Sequence, residues 1–315
     1  MNKKHMNAQL CKKFDEFVAS IDDAEVQDLV EKGTIITGGA LVSLLQGEQP
    51  HDYDMYFKDF KTCYKVAKYF VTKFNKDHGV KKAELKIKTD KGYENSFDKW
   101  ITYDSAIREI AEGKEPQIKV FIRSDGTAGE VEKTEDDEMQ TNITPESDID
   151  VEREEEPKYR AKFLTSNAIS LSGKVQLVIR FYGEPDKLHE NYDFVHCTNY
   201  WTSWDRKVSL KQAALESIIN KELIYVGSKY PLCSIIRTRK FINRGWTINA
   251  GQYLKMCMQL NELDLKNVEV LEEQLVGVDS TYFGMLINAL QQKKESEPGW
   301  EVDHSYVAAI VDKIF

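Results

Sequence analysis

The 315-residue sequence predicts an α+β (α/β) protein: a small mixed-sheet domain over residues 1–205, followed by an all-helical domain over 206–315. Two observations carry this. Helical patterns and short β-branched runs interleave as far as Trp204, and beyond it only helical patterns recur. The composition, 41% hydrophobic and 30% charged, is that of an ordinary globular chain long enough for two domains.

Leu10, Phe14 and Val18 recur at a spacing of four and predict a first helix. Val26, Leu29 and Val30, after Asp22 and Asp23, predict a second that Gly33 ends. Thr34–Thr37 is a short β-branched strand. Gly38-Gly39 follows, then Ala40–Leu45 with helical composition, then a turn over Gly47–Pro50. His51–Phe57 alternates like a strand, Lys61–Asn75 is an amphipathic helix, and Ile118–Ile122 is again strand-like. Further strand signals cover Ala161–Leu171, Lys174–Tyr182 and Tyr192–Cys197. Helices are expected to start near Ser209, Pro231, Thr247, Asn267 and Ser280.

The overall charge of −9 is unevenly placed. Asp125 to Pro157 holds fourteen carboxylates against Lys133 and Arg153, a net of −12, which leaves the rest of the chain at +3. This acidic insertion has almost no large apolar side chains to offset its ordering entropy, so it is expected to be a mobile loop. The global charge therefore does not exclude a nucleic-acid partner. No apolar run reaches the roughly 18 residues of a membrane span, so no membrane partner is expected. Five scattered cysteines and a polar N-terminus without an apolar h-region point to a reducing, cytoplasmic setting.

The stretch that carries chemistry runs from Gly38 to Asp54. Two glycines between a strand and a helix let backbone N–H groups approach a ligand where a Cβ would obstruct it, and the helix N-terminus favours an anion. Residues i and i+2 of a strand share a face, so Asp52 and Asp54 project together. Two carboxylates that close repel unless a cation lies between them. Oxygen-only ligation suits Mg²⁺ or Mn²⁺, which take the rest of their shell from water and phosphate.

A diglycine opening a short helix, then Asp-x-Asp on the next strand, resembles the signature of the DNA polymerase beta-like nucleotidyltransferase superfamily. The twelve residues between Gly39 and Asp52 fit that family's usual gap. The resemblance, over roughly residues 30 to 205, implies transfer of a nucleoside monophosphate from a nucleoside triphosphate to an acceptor hydroxyl. It implies that Asp52 and Asp54 hold a metal that grips the triphosphate, with Gly38, Gly39 and nearby Ser43 along the phosphate tail. It also implies a third carboxylate on a later strand, sharing a second metal and serving as proton acceptor. Asp193 in Asn191–His196 is the best candidate, with Asp186 and Asp205 as alternatives.

Other features have two readings each. Arg237, Lys240 and Arg244 share one helix face, which could grip the triphosphate or an acceptor backbone, or be a solvated basic face. Trp201, Trp204 and Trp246 could stack a base or pack a core. His189 and His196 flank Asp193 without the spacing of a zinc site. The acceptor is expected to be a nucleic-acid (RNA or tRNA) 3′ end, with a small molecule or protein side chain as alternatives. A binding or structural protein, for example a viral component, that keeps the fold without turnover is the competing class. Oligomeric state is not legible.

Overall fold

The computed structural model describes residues 2–77, 83–89, 100–122, 128–129, 158–165, 167–265, 267, 270–271, 274, 289–290, 292–297 and 299–314. Apart from Ala128 and Gly129, the acidic insertion lies outside these residues, as do most of the helices expected from Asn267 and Ser280. The chain divides into two units, one of residues 1–188 with 199–211, the other of 189–198 with 212–315. The expected boundary after residue 205 thus lies inside the first unit.

The first unit opens with α1 (Lys3–Ala19) and α2 (Ala24–Gly33). Asn2 caps α1 by accepting from the His5 N–H, and Asp23 caps α2 by accepting from Glu25 and Val26. The apolar stripe of α1 is wider than a spacing of four alone suggests, and buries Met6, Leu10, Phe14, Phe17 and Val18. Then come β1 (Thr34–Thr37), α3 (Gly39–Gln46), β2 (Tyr53–Phe57) and α4 (Phe60–Asp77). They are followed by β3 (Ala83–Lys88), β4 (Trp100–Ile101), α5 (Tyr103–Ala111), β5 (Gln117–Ile122), β6 (Ala128–Gly129) and β7 (Ala161–Leu164). β8 (Ala168–Leu171), β9 (Val175–Tyr182), α6 (Pro185–His189, its last residue in the other unit), β10 (Tyr200–Thr202) and β11 (Lys207–Ser209) complete the set.

Eight of these strands form one sheet in the order β11-β10-β1-β2-β9-β8-β7-β6, larger than the small sheet expected. Only β2 and β9 pair in parallel; the other neighbours are antiparallel. The second sheet, β4-β3-β5, was not foreseen in the sequence, and neither was the β10–β11 hairpin. The core joins α1, α2 and α4 to Ile36, Met55, Phe57, Leu177, Ile179 and Trp201 of the large sheet.

In the second unit the described elements are helical: α7 (Gln212–Asn220), α8 (Pro231–Asn243), α9 (Ala250–Leu260) and α10 (His304–Ile314). Pro231 opens α8 at a first-turn position, where its missing N–H costs nothing. Leu271 and Leu290 form a small core with Leu232, Ile236, Trp300 and Tyr306 packed on it. Tyr192–Cys197 is not the strand expected. Those residues form a turn and a 3-10 helix (Val195–Thr198), with one isolated bridge between Phe194 and Tyr225. Tyr192 is half-buried and Phe194 and His196 are buried by packing inside this unit, which mimics a strand pattern outside any sheet.

Among the described residues no helix is long and apolar enough to cross a membrane. All five cysteines are free thiols.

Phe14 is 1% exposed and its ring lies 5.1 Å from that of Trp201, so it ties α1 to the sheet. Phe14→Ala is expected to lower the unfolding free energy by about 3–5 kcal/mol, through lost transfer energy plus an unfilled cavity. Urea titration followed by tryptophan fluorescence measures it.

Candidate functional site

The diglycine is a strand-to-helix elbow. Gly38 has φ 81° and ψ −144°, a conformation open essentially to glycine alone, and it turns the chain from β1 into α3. As the N-cap it offers no side chain to take the first-turn N–H groups of α3. Gly39 is exposed, and a Cβ placed there would meet nothing within 4 Å. The backbone at the helix N-terminus therefore faces open space, as close approach of an anion requires. Ser43 is half-buried one turn along the same helix face.

Antiparallel pairing of β1 with β2 brings Asp54 to this elbow. The register sets Ile36 against Met55 and Thr37 against Asp54, so Asp54 is the cross-strand neighbour of the residue preceding Gly38. Met55 is fully buried, which commits its strand neighbour Asp54 to the other face. Asp54 is half-buried. Asp52 is exposed, one residue ahead of the strand, which starts at Tyr53 and not at His51. The Tyr53 N–H donates to the Lys174 carbonyl at 2.8 Å and holds the entry to β2 against the end of the β8–β9 turn.

Across the sheet at this level the row reads Tyr200, Thr37, Asp54, Gln176. The Thr37 hydroxyl donates to the Asn199 carbonyl at 2.8 Å, fixing β1 to the segment that enters β10. Tyr200 and Gln176 were not singled out in the sequence; a strand register, which needs the tertiary pairing, is the signal that finds them. β9 is the strand beside Asp54 away from β1, and it carries no carboxylate. Among the described residues no three His, Cys, Asp or Glu side chains are arranged to hold a metal ion.

Asp193 forms an ion pair. It belongs to the second unit, is 8% exposed, and its Oδ2 accepts from Arg237 Nη1 of α8. The Val226 N–H donates to the Asp193 carbonyl at 3.0 Å, which ties the Asp193 backbone to a neighbouring segment of its own unit. The two alternatives belong to the first unit. Asp186 pairs with Lys211 at 2.8 Å, and Asp205 is exposed in the β10–β11 turn.

The basic helix face divides in the structure: Arg237 turns to Asp193, Lys240 is exposed, and Arg244 is the exposed C-cap of α8. Trp201 and Trp246 are core residues at 0% and 5% exposure, which leaves Trp204, with Lys58 Nζ 5.2 Å from its ring centre, as the one of the three at the surface. His189 is buried beside the Tyr192 ring. His196 is caged by Phe194, Phe241 and Trp246, with ring centres 6.0, 4.8 and 4.4 Å away. Neither of its ring nitrogens has a hydrogen-bond partner, and burial pulls its pKa down to about 3.

Arg237→Met is expected to destabilise the second unit by about 2–3 kcal/mol, because it leaves the Asp193 carboxylate buried without a counter-charge. Adding Asp193→Asn to that variant should recover most of the loss, which a denaturant double-mutant cycle reads directly.

His196 takes up a proton in the unfolded chain near pH 6.5 but in the folded chain only near pH 3. Its contribution to stability is complete above about pH 6.5 and falls as the pH drops toward 3. Between pH 7.5 and pH 5 the wild type should lose about 2 kcal/mol more than His196→Phe, measured by urea unfolding at the two pH values.

None of the curated proteins compared with the chain matches it. The family model described as Gabija anti-defense 2 family protein matches residues 9–221, about two thirds of the chain, from within α1 past the elbow, Asp52 and Asp54 to the end of α7. The chain belongs to the Gabija anti-defense 2 family.

Proposed function

We propose that this protein acts in the cytoplasm as an anti-defence factor, as its family name indicates, through a metal-dependent nucleotidyltransferase centre in its first unit. The observation that supports the reading is the register of Thr37 against Asp54, which sets one carboxylate of the Asp52-x-Asp54 motif beside the glycine elbow. The resemblance to polymerase beta-like nucleotidyltransferases rests on the same residues.

The donor set fits a hard divalent cation. Asp52 is exposed and Asp54 half-buried, both offering oxygen only, and Mg²⁺ is commonly held by one or two carboxylates plus substrate phosphate and water. Bound there, the cation supplies neutralising charge for a triphosphate and its leaving pyrophosphate. The N–H groups at the start of α3 take phosphate oxygens, with Gly39 leaving room for them and Ser43 one turn on. Asp193, the third carboxylate that the resemblance implies, is ion-paired with Arg237 through one of its oxygens. The acceptor hydroxyl is assigned first to a nucleic-acid 3′ end, because the chain outside the acidic insertion carries a net +3.

One observation favours a second reading. Gln176, a neutral amide, stands beside Asp54 where the resemblance implies a third acid. A nucleotide-binding protein without turnover needs only the elbow and the acid pair.

Incubation of the full chain with each labelled triphosphate, Mg²⁺ or Mn²⁺, and RNA, DNA or protein acceptors separates the readings. Transfer of label is expected, reduced at least about 100-fold in Asp52→Asn, the scale seen when a group neutralising transition-state charge is removed. Mg²⁺-dependent thermal stabilisation by a triphosphate without transfer would establish the second reading. A flat thermal response to all four triphosphates would overturn both.

A further inference from the structure

The small sheet of the first unit presents an outer face that the elbow chemistry does not use. β3 lies between β4 and β5, with Lys88 paired to Trp100, Lys86 to Lys119 and Glu84 to Phe121. Side chains alternate across each strand, and the inner set is settled by burial: Ala83, Ile87, Ile118 and Val120 are all in the core. Trp100, Lys86, Lys88, Lys119, Phe121 and Glu84 are therefore committed to the opposite face.

That face is unusual in two respects. Trp100 and Phe121, rings that a sheet would ordinarily bury, are 46% and 44% exposed. Between them stands Lys86, its Nζ 4.2 Å from the Phe121 ring centre and 5.5 Å from that of Trp100. Lys119, the cross-strand neighbour of Lys86, donates to Asn167 Oδ1 at 2.6 Å, which places a second ammonium in the same row. Among the described residues of these strands, that face carries one carboxylate, Glu84, against three lysines. The chain outside the acidic insertion carries a net +3, and three of its lysines stand around these two exposed rings.

From this geometry we infer that the outer face of the β4-β3-β5 sheet is a binding surface for single-stranded nucleic acid. Exposed rings give unpaired bases a platform to stack on, and the interleaved ammonium groups meet the phosphodiester charge. A duplex keeps its bases stacked on one another and cannot use the rings. An acidic or apolar protein partner would use either the charge or the rings, whereas the two are interleaved here to within 4.2–5.5 Å. The inference does not depend on the transferase reading, although a strand held here would suit an acceptor.

Fluorescence anisotropy of the full chain with a labelled oligo(dT) or oligo(U) of about 16 nucleotides tests it, with metal and nucleoside triphosphate omitted so that the outcome is independent of transfer. Saturable binding is expected, weakened roughly 5- to 100-fold by Trp100→Ala and likewise by Phe121→Ala, the range for loss of one base–aromatic stack. Lys86→Gln with Lys88→Gln should reduce the slope of log affinity against log salt by about 0.7 per lysine. Phe121→Leu, which keeps apolar bulk on the strand, should also weaken binding and guards against a folding artefact, as do thermal melts of every variant. Absence of binding by the wild type, equal affinity for a duplex of the same length, or unchanged affinity in both ring variants would overturn the inference.

Discussion

The candidate site depends on one pairing, that of β1 with β2. Each strand is short, and each is built around a fully buried side chain, Ile36 on one and Met55 on the other, set directly opposite. A slip of one residue would turn Met55 out of the core and Asp54 into it, a cost no four- or five-residue strand pair can sustain. Burial of Met55 therefore holds Asp54 in place as firmly as any hydrogen bond does. It also sets Asp54 one residue from the backbone twist at Gly38, the only route from this strand into α3.

The same logic explains how the rest of the first unit supports that pairing. β10 flanks β1 with Trp201 opposite Ile36, and Phe14 of α1 packs on Trp201, so the N-terminal helix braces the strand that leads to the elbow. On the other side β9 runs parallel to β2 and contributes Leu177 opposite Met55. Two carboxylates at the end of a strand are costly to hold together. A cation and an anionic ligand completing the arrangement would offset that cost.

The second unit shows buried charge managed differently. Asp193 is nearly inaccessible, yet it is paired within its own unit with an arginine from α8, and the neighbouring backbone from Asp193 to Val195 bonds to Ile224 and Val226. His196, three residues on, has no such partner and is kept neutral by an aromatic cage. One group is stabilised by a counter-charge and the other by loss of charge, within a single turn of chain.

Much of the fold was legible from local patterns. The elements α1 to α4, the elbow with Gly38 and Gly39, and the acid pair Asp52 and Asp54 are written in spacing, glycine placement and alternation, which are properties of neighbouring residues. The helical character of the C-terminal part is local in the same sense. What tertiary structure alone decided is which strands lie side by side and which faces they bury. Hence Gln176 beside Asp54, the β4-β3-β5 sheet and the 3-10 helix at Val195–Thr198 could not be read from order along the chain. Asp193 illustrates the reason: an acid amid alternating aromatics looks the same in sequence whether its partner is a sheet neighbour or an arginine 44 residues away. Only the packed structure chooses between them.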